Sequence, residues 1–292
     1  MVQTPVLIDT DPGTDDAVAL LLAAALHMPV RGVLSSYGNL PLKQTHANAA
    51  ALLRALDIQA PLIRGADAVS PNAEEIHGMN GLGGADFSTF LPERDCSVST
   101  PERLLETYPQ WDYIVLGPLT NLARLLHDCP AVCQRIRSVT VMGGGFERYN
   151  MPRDTEFNFY CDPQAVQTVL QSDLPLTLIP LDVTHTVTLS LRQIHALPQG
   201  CLRQKLFKQV LLYNCAAGIG HGCGGAVLHD AVAVAASRFP ERFCFEQITA
   251  CCDKYGHIAR LTGGKKMRVA VRTDSRWMYE MLAKSMAYLE QL

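Results

Sequence analysis

Short apolar stretches rich in β-branched residues recur along the chain, and segments with helical hydrophobic spacing separate most of them. These stretches predict strands at residues 6–8, 30–35, 61–63, 113–116, 139–142 and 176–181. The intervening segments predict helices at residues 16–26, 42–56, 101–107, 121–127 and 163–171. Because the strands are continuously apolar instead of alternating, we expect them to be buried on both faces. The pattern therefore predicts a mainly parallel sheet covered by helices.

The last third of the chain has a different order of elements. Residues 202–216 and 231–237 have a helical pattern, whereas residues 243–250, 257–261 and 267–271 form a cluster of predicted strands. The chain has 292 residues, 48% of them hydrophobic, which is enough for one large core. We therefore predict an α/β fold with a mixed, mostly parallel central sheet, helices on both faces, and residues 1–292 as a single domain.

Composition and charge narrow the choice of partners. The formal net charge is −3, and the charged residues are scattered without the basic stripe that binding to nucleic acid or to an anionic membrane usually needs. We expect a small-molecule partner, with no nucleic acid and no membrane. The first ten residues lack a basic signal-peptide region, and the longest apolar run is about half of the roughly 20 residues that span a bilayer, so a cytoplasmic location is predicted. The ten cysteines form no CxxC pair, which favours buried reduced thiols over disulfides or a metal site.

An unusual concentration of acids follows the first predicted strand. The stretch LIDTDPGTDD places Asp9, Asp11, Asp15 and Asp16 within eight positions. Asp15 and Asp16 suit the first turn of a helix, where acids offset the helix dipole. That role does not explain Asp9 and Asp11 at the same strand end, where mutual repulsion needs a compensating cation. Oxygen ligands without nearby His or Cys favour a hard ion such as Ca²⁺ or Mg²⁺.

Polar residues also follow other predicted strands, and the carboxyl ends of parallel strands are where ligands bind in such sheets. Taken alone, each strand-end motif is better explained as a turn, and the His-Asp pair is explained equally well as a helix cap beside a packed histidine. Taken together they are expected to line one rim of the sheet. They are Asn39, Leu116 before a Gly-Pro break, the glycines 143–145, then Asn150, Glu156 and Asn158 in one loop, and finally His229 with Asp230 before an apolar helix.

These motifs resemble, in order, those of the inosine-uridine-preferring nucleoside hydrolases, over nearly the whole chain. The aspartate cluster is the most specific part of the resemblance, whereas the glycine turns alone carry little weight. The matching motifs are Asp9-x-Asp11-x-x-x-Asp15-Asp16, Tyr37-Gly38-Asn39, Gly117-x-Leu119-Thr120-Asn121, Met142-Gly143-Gly144-Gly145, Asn150 with Glu156-Phe157-Asn158, and His229-Asp230.

The resemblance implies a Ca²⁺-dependent hydrolysis of ribonucleosides to ribose and free base, and it implies a role for each matching residue. Asp11, Asp16, Asp230 and the backbone carbonyl of Leu116 are implied Ca²⁺ ligands. Asp11 is also the implied general base, acting on a Ca²⁺-bound water on the way to an oxocarbenium-like transition state. The implied ribose-binding residues are Asp15, Asn39, Asn150, Glu156 and Asn158. Asp9 is expected to support the loop, and a homodimer or homotetramer is implied.

The proton donor to the leaving base and the base preference are less firmly indicated. His229, beside an implied metal ligand, is the natural donor, and His77 on a glycine-rich loop is a second candidate with an equally plausible structural role. The purine-specific branch of the family stacks the base between tryptophans, but Trp111 and Trp277 lie outside the matching loops. Pyrimidine or broad specificity is therefore favoured. Residues 215–226 depart from the family pattern, and their glycines predict a flexible lid in which His221 replaces an aromatic contact or is simply solvated.

Two alternatives remain open at this point. A strand-end DxD also occurs in metal-dependent phosphohydrolases, although these need a nucleophilic aspartate and a later lysine, which the flanking PGTDD and the HD pair fit poorly. A nucleoside-binding protein with lost or weak turnover is suggested by the unusual lid segment, and the presence of Asp11, Asp16 and Asp230 argues against it.

Overall fold

A nine-stranded sheet forms the centre of the molecule in the computed structural model, which describes residues 3–68, 73–91 and 100–292. The strands are β1 (Val6–Thr10), β2 (Val30–Ser35), β3 (Leu62–Arg64), β4 (Trp111–Val115), β5 (Ile136–Met142), β6 (Leu176–Ile179), β7 (Thr188–Leu189), β8 (Ala226–Val227), β9 (Phe243–Cys252), β10 (Ile258–Arg260) and β11 (Lys265–Thr273). The order across the sheet is β10-β9-β11-β6-β5-β4-β1-β2-β3, and β7 pairs with β8 separately.

Helices connect the strands and cover both faces of the sheet. They are α1 (Thr14–Ala25), α2 (Leu42–Ala55), α3 (Glu74–His77), α4 (Pro101–Leu105), α5 (Thr120–Asp128), α6 (Pro130–Cys133), α7 (Phe157–Cys161), α8 (Pro163–Gln171), α9 (Leu181–Thr184), α10 (Leu191–Ala196), α11 (Leu202–Gly220), α12 (His229–Arg238) and α13 (Ser275–Tyr288). One core cluster includes α1, α11, α12 and α13, and a second includes α5 and α8.

The sheet is mostly parallel, which confirms the predicted fold class. The neighbours from β3 through β2, β1, β4, β5 and β6 to β11 are all parallel, whereas β9 runs antiparallel to β11 and β10. The chain leaves β1 towards β2 on one side and later returns to place β4 on the other side. A crevice therefore opens at the carboxyl ends of β1 and β4, where this class of fold binds its ligands.

The longest apolar run of the sequence belongs to helix α1. Its residues from Thr14 to Ala23 are all buried, because α11, α12 and α13 pack around it. Among the described residues, no helix is both long and apolar enough to cross a membrane. The all-round hydrophobicity of α1 is explained by its central place in the core.

Three details differ from the sequence-based expectations. The pair β7–β8 was not predicted, because strands of two residues leave no alternating pattern. Helix α11 continues to Gly220, into the segment expected to be a flexible lid, and a Cβ on Gly218 would lie 2.0 Å from the carbonyl oxygen of Gly225. Glycine thus allows α11 to pack directly against the backbone that leads into β8. Of the nine described cysteines, all free thiols, only Cys133 and Cys215 are buried.

Candidate functional site

The four aspartates of the first motif are all buried at the carboxyl end of β1. Asp9 lies within β1, Asp11 follows it, and Asp15 and Asp16 occupy the first turn of α1. Gly13 caps that helix, and its backbone N–H donates a 2.9 Å hydrogen bond to Oδ2 of Asp16. A strand end and a helix start are therefore joined by a turn so short that the four carboxyl groups share one small volume.

The side chain of Asp9 makes its hydrogen bonds with residues outside the acidic cluster. Its Oδ1 accepts a 2.9 Å hydrogen bond from Nδ2 of Asn121, and its Oδ2 accepts a 3.0 Å bond from the hydroxyl of Tyr113. Burial raises the pKa of Asp9 to about 7, although both hydrogen bonds favour the charged form. These contacts tie β1 to β4 and α5.

Asp15, Asp16 and Asp230 form the tightest acidic group among the described residues. Each contributes a carboxylate oxygen, and these oxygens all lie within 4.8 Å of one another. Burial raises the pKa of Asp15 and of Asp16 to about 6, and it raises that of Asp230 well above its usual value. The charges of the neighbouring aspartates raise the pKa of Asp230 further. Three buried acids without a counter-ion are costly, so this group is poised to accept a cation.

Asp11 lies beside this group and is held by the loop that follows β2. The backbone N–H of Asn39 donates a 2.7 Å hydrogen bond to Oδ2 of Asp11, while Oδ1 is buried without a partner. Burial and then the charge of Asp16 raise the pKa of Asp11 well above its usual value. A Cβ on Gly117 would lie 2.5 Å from Oδ1 of Asp11, and one on Gly38 would lie 1.9 Å from Oδ2. The two glycines thus make room for this carboxylate.

The chemistry of these donors fits a hard divalent cation. Oδ1 of Asp11 and Oδ1 of Asp15 are both buried without a hydrogen-bond partner, which leaves two carboxylate oxygens available for ligation. Among the largest causes of the pKa shifts of these acids in the described part of the chain, none is a lysine or an arginine. An oxygen-only set of this kind suits Ca²⁺ or Mg²⁺ better than a transition metal.

A cavity of about 280 Å³ opens above the acidic group. It brings together most of the residues predicted to act, whereas the buried Asp11 and Asp16 are not among its lining residues. The predicted residues that line it are Asp15, Asn39, His77, Leu116, Asn150, Glu156, Asn158, His229 and Asp230.

Two asparagines connect the cavity to the backbone around the acids. Nδ2 of Asn39 donates to the carbonyl of Asp11 and to Oδ2 of Asp16, both at 3.1 Å. Nδ2 of Asn158 donates a 2.8 Å hydrogen bond to the Leu116 carbonyl, which keeps a second lone pair. The predicted ligand carbonyl is therefore fixed in orientation by a predicted ribose-binding residue.

Glu156 caps helix α7 and stands at the wall of the cavity. Its carboxylate accepts hydrogen bonds from the backbone N–H groups of Gly144, Asn158 and Phe159 at 2.9, 2.9 and 3.2 Å. Burial raises the pKa of Glu156 to about 7 even though these three bonds favour the charged form. Oδ1 of Asn150 accepts a 3.0 Å bond from the N–H of Phe157, so the whole loop is organised around the start of α7.

Two histidines at the cavity wall are held by threonine hydroxyls. Nδ1 of His229 lies 2.8 Å from Oγ1 of Thr184, and its ring packs 5.3 Å from the ring of His185, measured between centroids. Nδ1 of His77 lies 3.0 Å from Oγ1 of Thr14. Burial lowers the pKa of His229 to about 3 and that of His77 to about 4. Both rings are accordingly neutral at pH 7 in the structure described here.

Several lining residues were not predicted, and some left a signal in the sequence. His185 follows β6 just as Asn39 follows β2, so the strand-end rule could have found it. Asn214 is one polar residue within the long helix α11, a pattern that gives no signal. Tyr149 and Phe157 flank predicted residues and bring aromatic rings to the cavity, whereas Trp111 and Trp277 do not line it.

The glycine-rich segment closes one side of the cavity. Ala217, Gly218, His221 and Cys223 are among the lining residues. Gly222 and Gly224 have φ angles of 77° and 76°, a conformation that side-chain-bearing residues rarely adopt. The glycines therefore allow the turn between α11 and β8. His221 is exposed and is also one of the lining residues, so both roles predicted for it remain open.

A family model and a similar protein of known family both match this chain over nearly its whole length, and both are nucleoside hydrolases. A model described as inosine-uridine preferring nucleoside hydrolase matches residues 6–286. The non-specific ribonucleoside hydrolase RihC of Escherichia fergusonii is 30% identical over an alignment of 312 positions. The alignment covers 96% of this chain and 99% of that protein.

Solved structures share the same architecture. The purine-preferring ribonucleoside hydrolase from Gardnerella vaginalis superposes with a TM-score of 0.85 at 24% identity, covering 98% of this chain and 99% of that one. The plant nucleoside hydrolase PpNRh1 superposes with a TM-score of 0.89 at 21% identity over the same shares of the two chains. At these identities the likeness establishes the fold.

Proposed function

The chain belongs to the inosine-uridine preferring nucleoside hydrolase family, and we propose that it hydrolyses the N-glycosidic bond of ribonucleosides to ribose and free base with a bound Ca²⁺. One observation supports the proposal: the cavity is lined by buried acids together with amide side chains such as those of Asn39, Asn150 and Asn158. Such a site suits a neutral polyol that gains positive charge as its bond to the base breaks.

The proposed Ca²⁺ ligands are Asp11, Asp16, Asp230 and the Leu116 carbonyl. The unpaired Oδ1 of Asp11 and the close carboxylates of Asp16 and Asp230 support this assignment. When bound, Ca²⁺ supplies a Lewis acid and a template for oxygen atoms. Asp15 belongs to the same acidic group, and it lines the cavity with an Oδ1 that has no hydrogen-bond partner, which supports its proposed contact with the ribose hydroxyls.

Asp11 is the proposed general base. The N–H of Asn39 orients this carboxylate through Oδ2, and Oδ1 has no hydrogen-bond partner, so the two oxygens together keep lone pairs both for the cation and for a proton from the attacking water. Without a bound cation, burial raises the pKa of Asp11 well above its usual value, and a bound Ca²⁺ would favour the ionised carboxylate that can accept a proton. The surrounding acids also favour a cationic sugar over the neutral substrate.

The ribose is proposed to be gripped by Asp15, Asn39, Asn150, Glu156 and Asn158. Carboxylate acceptors and amide groups on several loops of the cavity can hold hydroxyls from different directions. Fixing the sugar in this way supplies orientation before the bond breaks. The proposal assigns each of these residues to binding and none of them to proton transfer.

His229 is proposed to protonate or hydrogen-bond the departing base, with His77 as the second candidate. Both line the cavity next to the acids. Their depressed pKa values, caused by burial, mean that each acts as a neutral N–H donor in the site as described. A neutral donor is sufficient to stabilise negative charge that develops on the leaving base.

Pyrimidine or broad base specificity is proposed over strict purine specificity. The cavity contains no tryptophan among its described lining residues, and small residues such as Ala217 and Gly218 form part of its wall.

We further propose that the chain acts in the cytoplasm as a homodimer or homotetramer. Phosphohydrolase chemistry is disfavoured, because both carboxylate oxygens of Asp9 are held by Asn121 and Tyr113 instead of being free for attack.

The test is ribose release from uridine, cytidine, inosine and adenosine by chelator-treated protein, with and without added Ca²⁺. We expect release that depends on Ca²⁺ and is lost in Asp11→Ala. Ligand binding without ribose release would instead identify a nucleoside-binding protein, and release of phosphate from phosphate esters would identify a phosphohydrolase. The ranking of the four substrates measures base specificity directly.

A further inference from the structure

One hydrogen-bond chain at the cavity wall runs from helix α11 through the start of α1 to His77. Nδ2 of Asn214 donates a 3.1 Å hydrogen bond to Oγ1 of Thr14, and Oγ1 of Thr14 lies 3.0 Å from Nδ1 of His77. The backbone N–H of Thr14 donates a 3.1 Å bond to the same nitrogen. All three residues are at least nine-tenths buried.

The backbone contact fixes which ring nitrogen of His77 carries the proton. A backbone N–H only donates, so Nδ1 of His77 must be an acceptor. Any form with a proton on Nδ1 would point one N–H group at another. The neutral ring therefore carries its hydrogen on Nε2.

The hydroxyl of Thr14 is ordered by its other neighbour. Because the amide of Asn214 donates to Oγ1, the hydroxyl hydrogen of Thr14 is free to point at Nδ1 of His77. Gly13 completes the arrangement, since a Cβ there would lie 2.7 Å from Nδ1 and 2.9 Å from Cε1 of His77. The ring is thus held on the Nδ1 side by two donors and a close backbone approach.

We propose that Asn214, acting through Thr14, is a positioning residue that holds His77 as the Nε2–H tautomer facing the substrate cavity. This inference rests on the proposed hydrolase function, because the donor is directed at a nucleoside. Both described hydrogen bonds of the His77 ring are made by Nδ1, and the ring lines the cavity. The Nε2–H group is therefore available to an acceptor on the bound nucleoside.

Helix α11 connects the cavity wall to the position of His77. Asn214 lies on the same helix as Ala217 and Gly218, which line the cavity further along. A movement of this part of α11 away from α1 would break the bond from Asn214 to Thr14. The orientation of the Nε2–H group of His77 therefore depends on the position of the part of α11 that carries Ala217 and Gly218.

Kinetics of matched variants test the positioning role. Asn214→Leu and Thr14→Val each remove one link at nearly constant volume, and we expect kcat for uridine to fall by about tenfold with a smaller change in KM. Thr14→Ser retains the hydroxyl and is expected to restore most of kcat. Gln209→Leu makes the same type of change at an exposed position of α11 and serves as the control. Unchanged kcat in both Asn214→Leu and Thr14→Val, with melting temperatures like the parent protein, would overturn the proposal.

Nitrogen-15 NMR of the imidazole rings tests the tautomer independently of activity. The His77 signals are identified by their loss in His77→Gln, and the expected pattern has Nε2 protonated and Nδ1 unprotonated. A protonated Nδ1 in the parent protein would refute the assignment. If the protein released no ribose from any nucleoside, the NMR result would still decide the tautomer, so failure of the proposed function and failure of this inference are distinguishable.

Discussion

Asp16 and Asp230 lie in the first turns of α1 and α12, and their carboxylate oxygens come within 4.8 Å of each other. Helices from opposite ends of the chain are thereby aimed with their positive N-terminal ends at one point. The helix dipoles offset only part of the repulsion between two buried carboxylates. A stabilising cation at this point follows from the fold itself as well as from the family.

Neutralising one of these acids should stabilise the metal-free protein and reduce the stabilisation that calcium provides. Asp230→Asn is expected to raise the stability of chelator-treated protein by about 1 to 3 kcal/mol, because it removes a buried charge near Asp15 and Asp16. The parent protein should gain about 2.7 kcal/mol when Ca²⁺ is present at about 100 times its Kd, and the variant should gain much less. Denaturant melts with and without Ca²⁺ measure both quantities. A larger calcium effect in the variant than in the parent would contradict the assignment of Asp230.

The raised pKa of Glu156 predicts how the stability of the protein changes with pH. Burial raises its pKa in the folded protein to about 7, compared with 4.5 for the ordinary group. A raised folded pKa stabilises the protonated form, so this contribution is complete below about pH 4.5 and is lost as the pH rises through about 7. It amounts to about 3 kcal/mol at most.

The comparison of Glu156→Gln with the parent isolates that contribution. The variant keeps the size of the side chain and has no carboxyl to titrate, so its unfolding free energy should fall less between pH 4.5 and pH 7. Melts in constant excess Ca²⁺ keep the metal site out of the comparison. Parallel curves for the two proteins would show that Glu156 is ionised throughout this range.

The two histidine candidates for the leaving-group donor can be separated by the choice of substrate. If His229 is the donor, His229→Ala should lower kcat for uridine by about 10² to 10⁴ and should have much less effect on 4-nitrophenyl riboside, whose leaving group needs no proton. His77→Ala should then affect both substrates to a similar and smaller extent. The reverse pattern would move the donor role to His77.

Much of the site was readable from the sequence because its acids stand directly after apolar strands. The continuously apolar strands, and the positions of Asp11 and Leu116 directly after two of them, are local features of the sequence. The packing of Asn214 against Thr14 depends on two helices far apart in the chain, so no local pattern could reveal it. Helix α11 likewise extends through Gly218 because tertiary packing outweighs the low helix propensity of glycine.

Gly117 leaves space for the Asp11 carboxylate close to the backbone, so a side chain at this position should displace the carboxylate. In Gly117→Ala the new Cβ would lie 2.5 Å from Oδ1 of Asp11 and 3.1 Å from Oγ of Ser36, so the carboxylate has to move. We expect weaker Ca²⁺ binding and a kcat about 10² lower, since an ångström of misplacement is costly in catalysis. Gly263→Ala is the control, because nothing lies within 4 Å of its Cβ position. Calcium titration followed by ribose release measures both effects, and equal behaviour of the two variants would contradict the prediction.

The polar walls of the cavity predict strong discrimination against 2′-deoxyribonucleosides. Asp15 and Asn39 are both buried at the cavity and are proposed to bind ribose hydroxyls. A substrate without the 2′ hydroxyl leaves such buried groups unpaired, which costs far more than the loss of a solvent-exposed contact. We expect kcat/KM for 2′-deoxyuridine to be at least about 10² lower than for uridine. Parallel progress curves for the two substrates measure the ratio, and Asp15→Ala should reduce it because that variant has less to leave unpaired. Similar efficiencies for uridine and 2′-deoxyuridine in the parent protein would show that the sugar is held through its other hydroxyls.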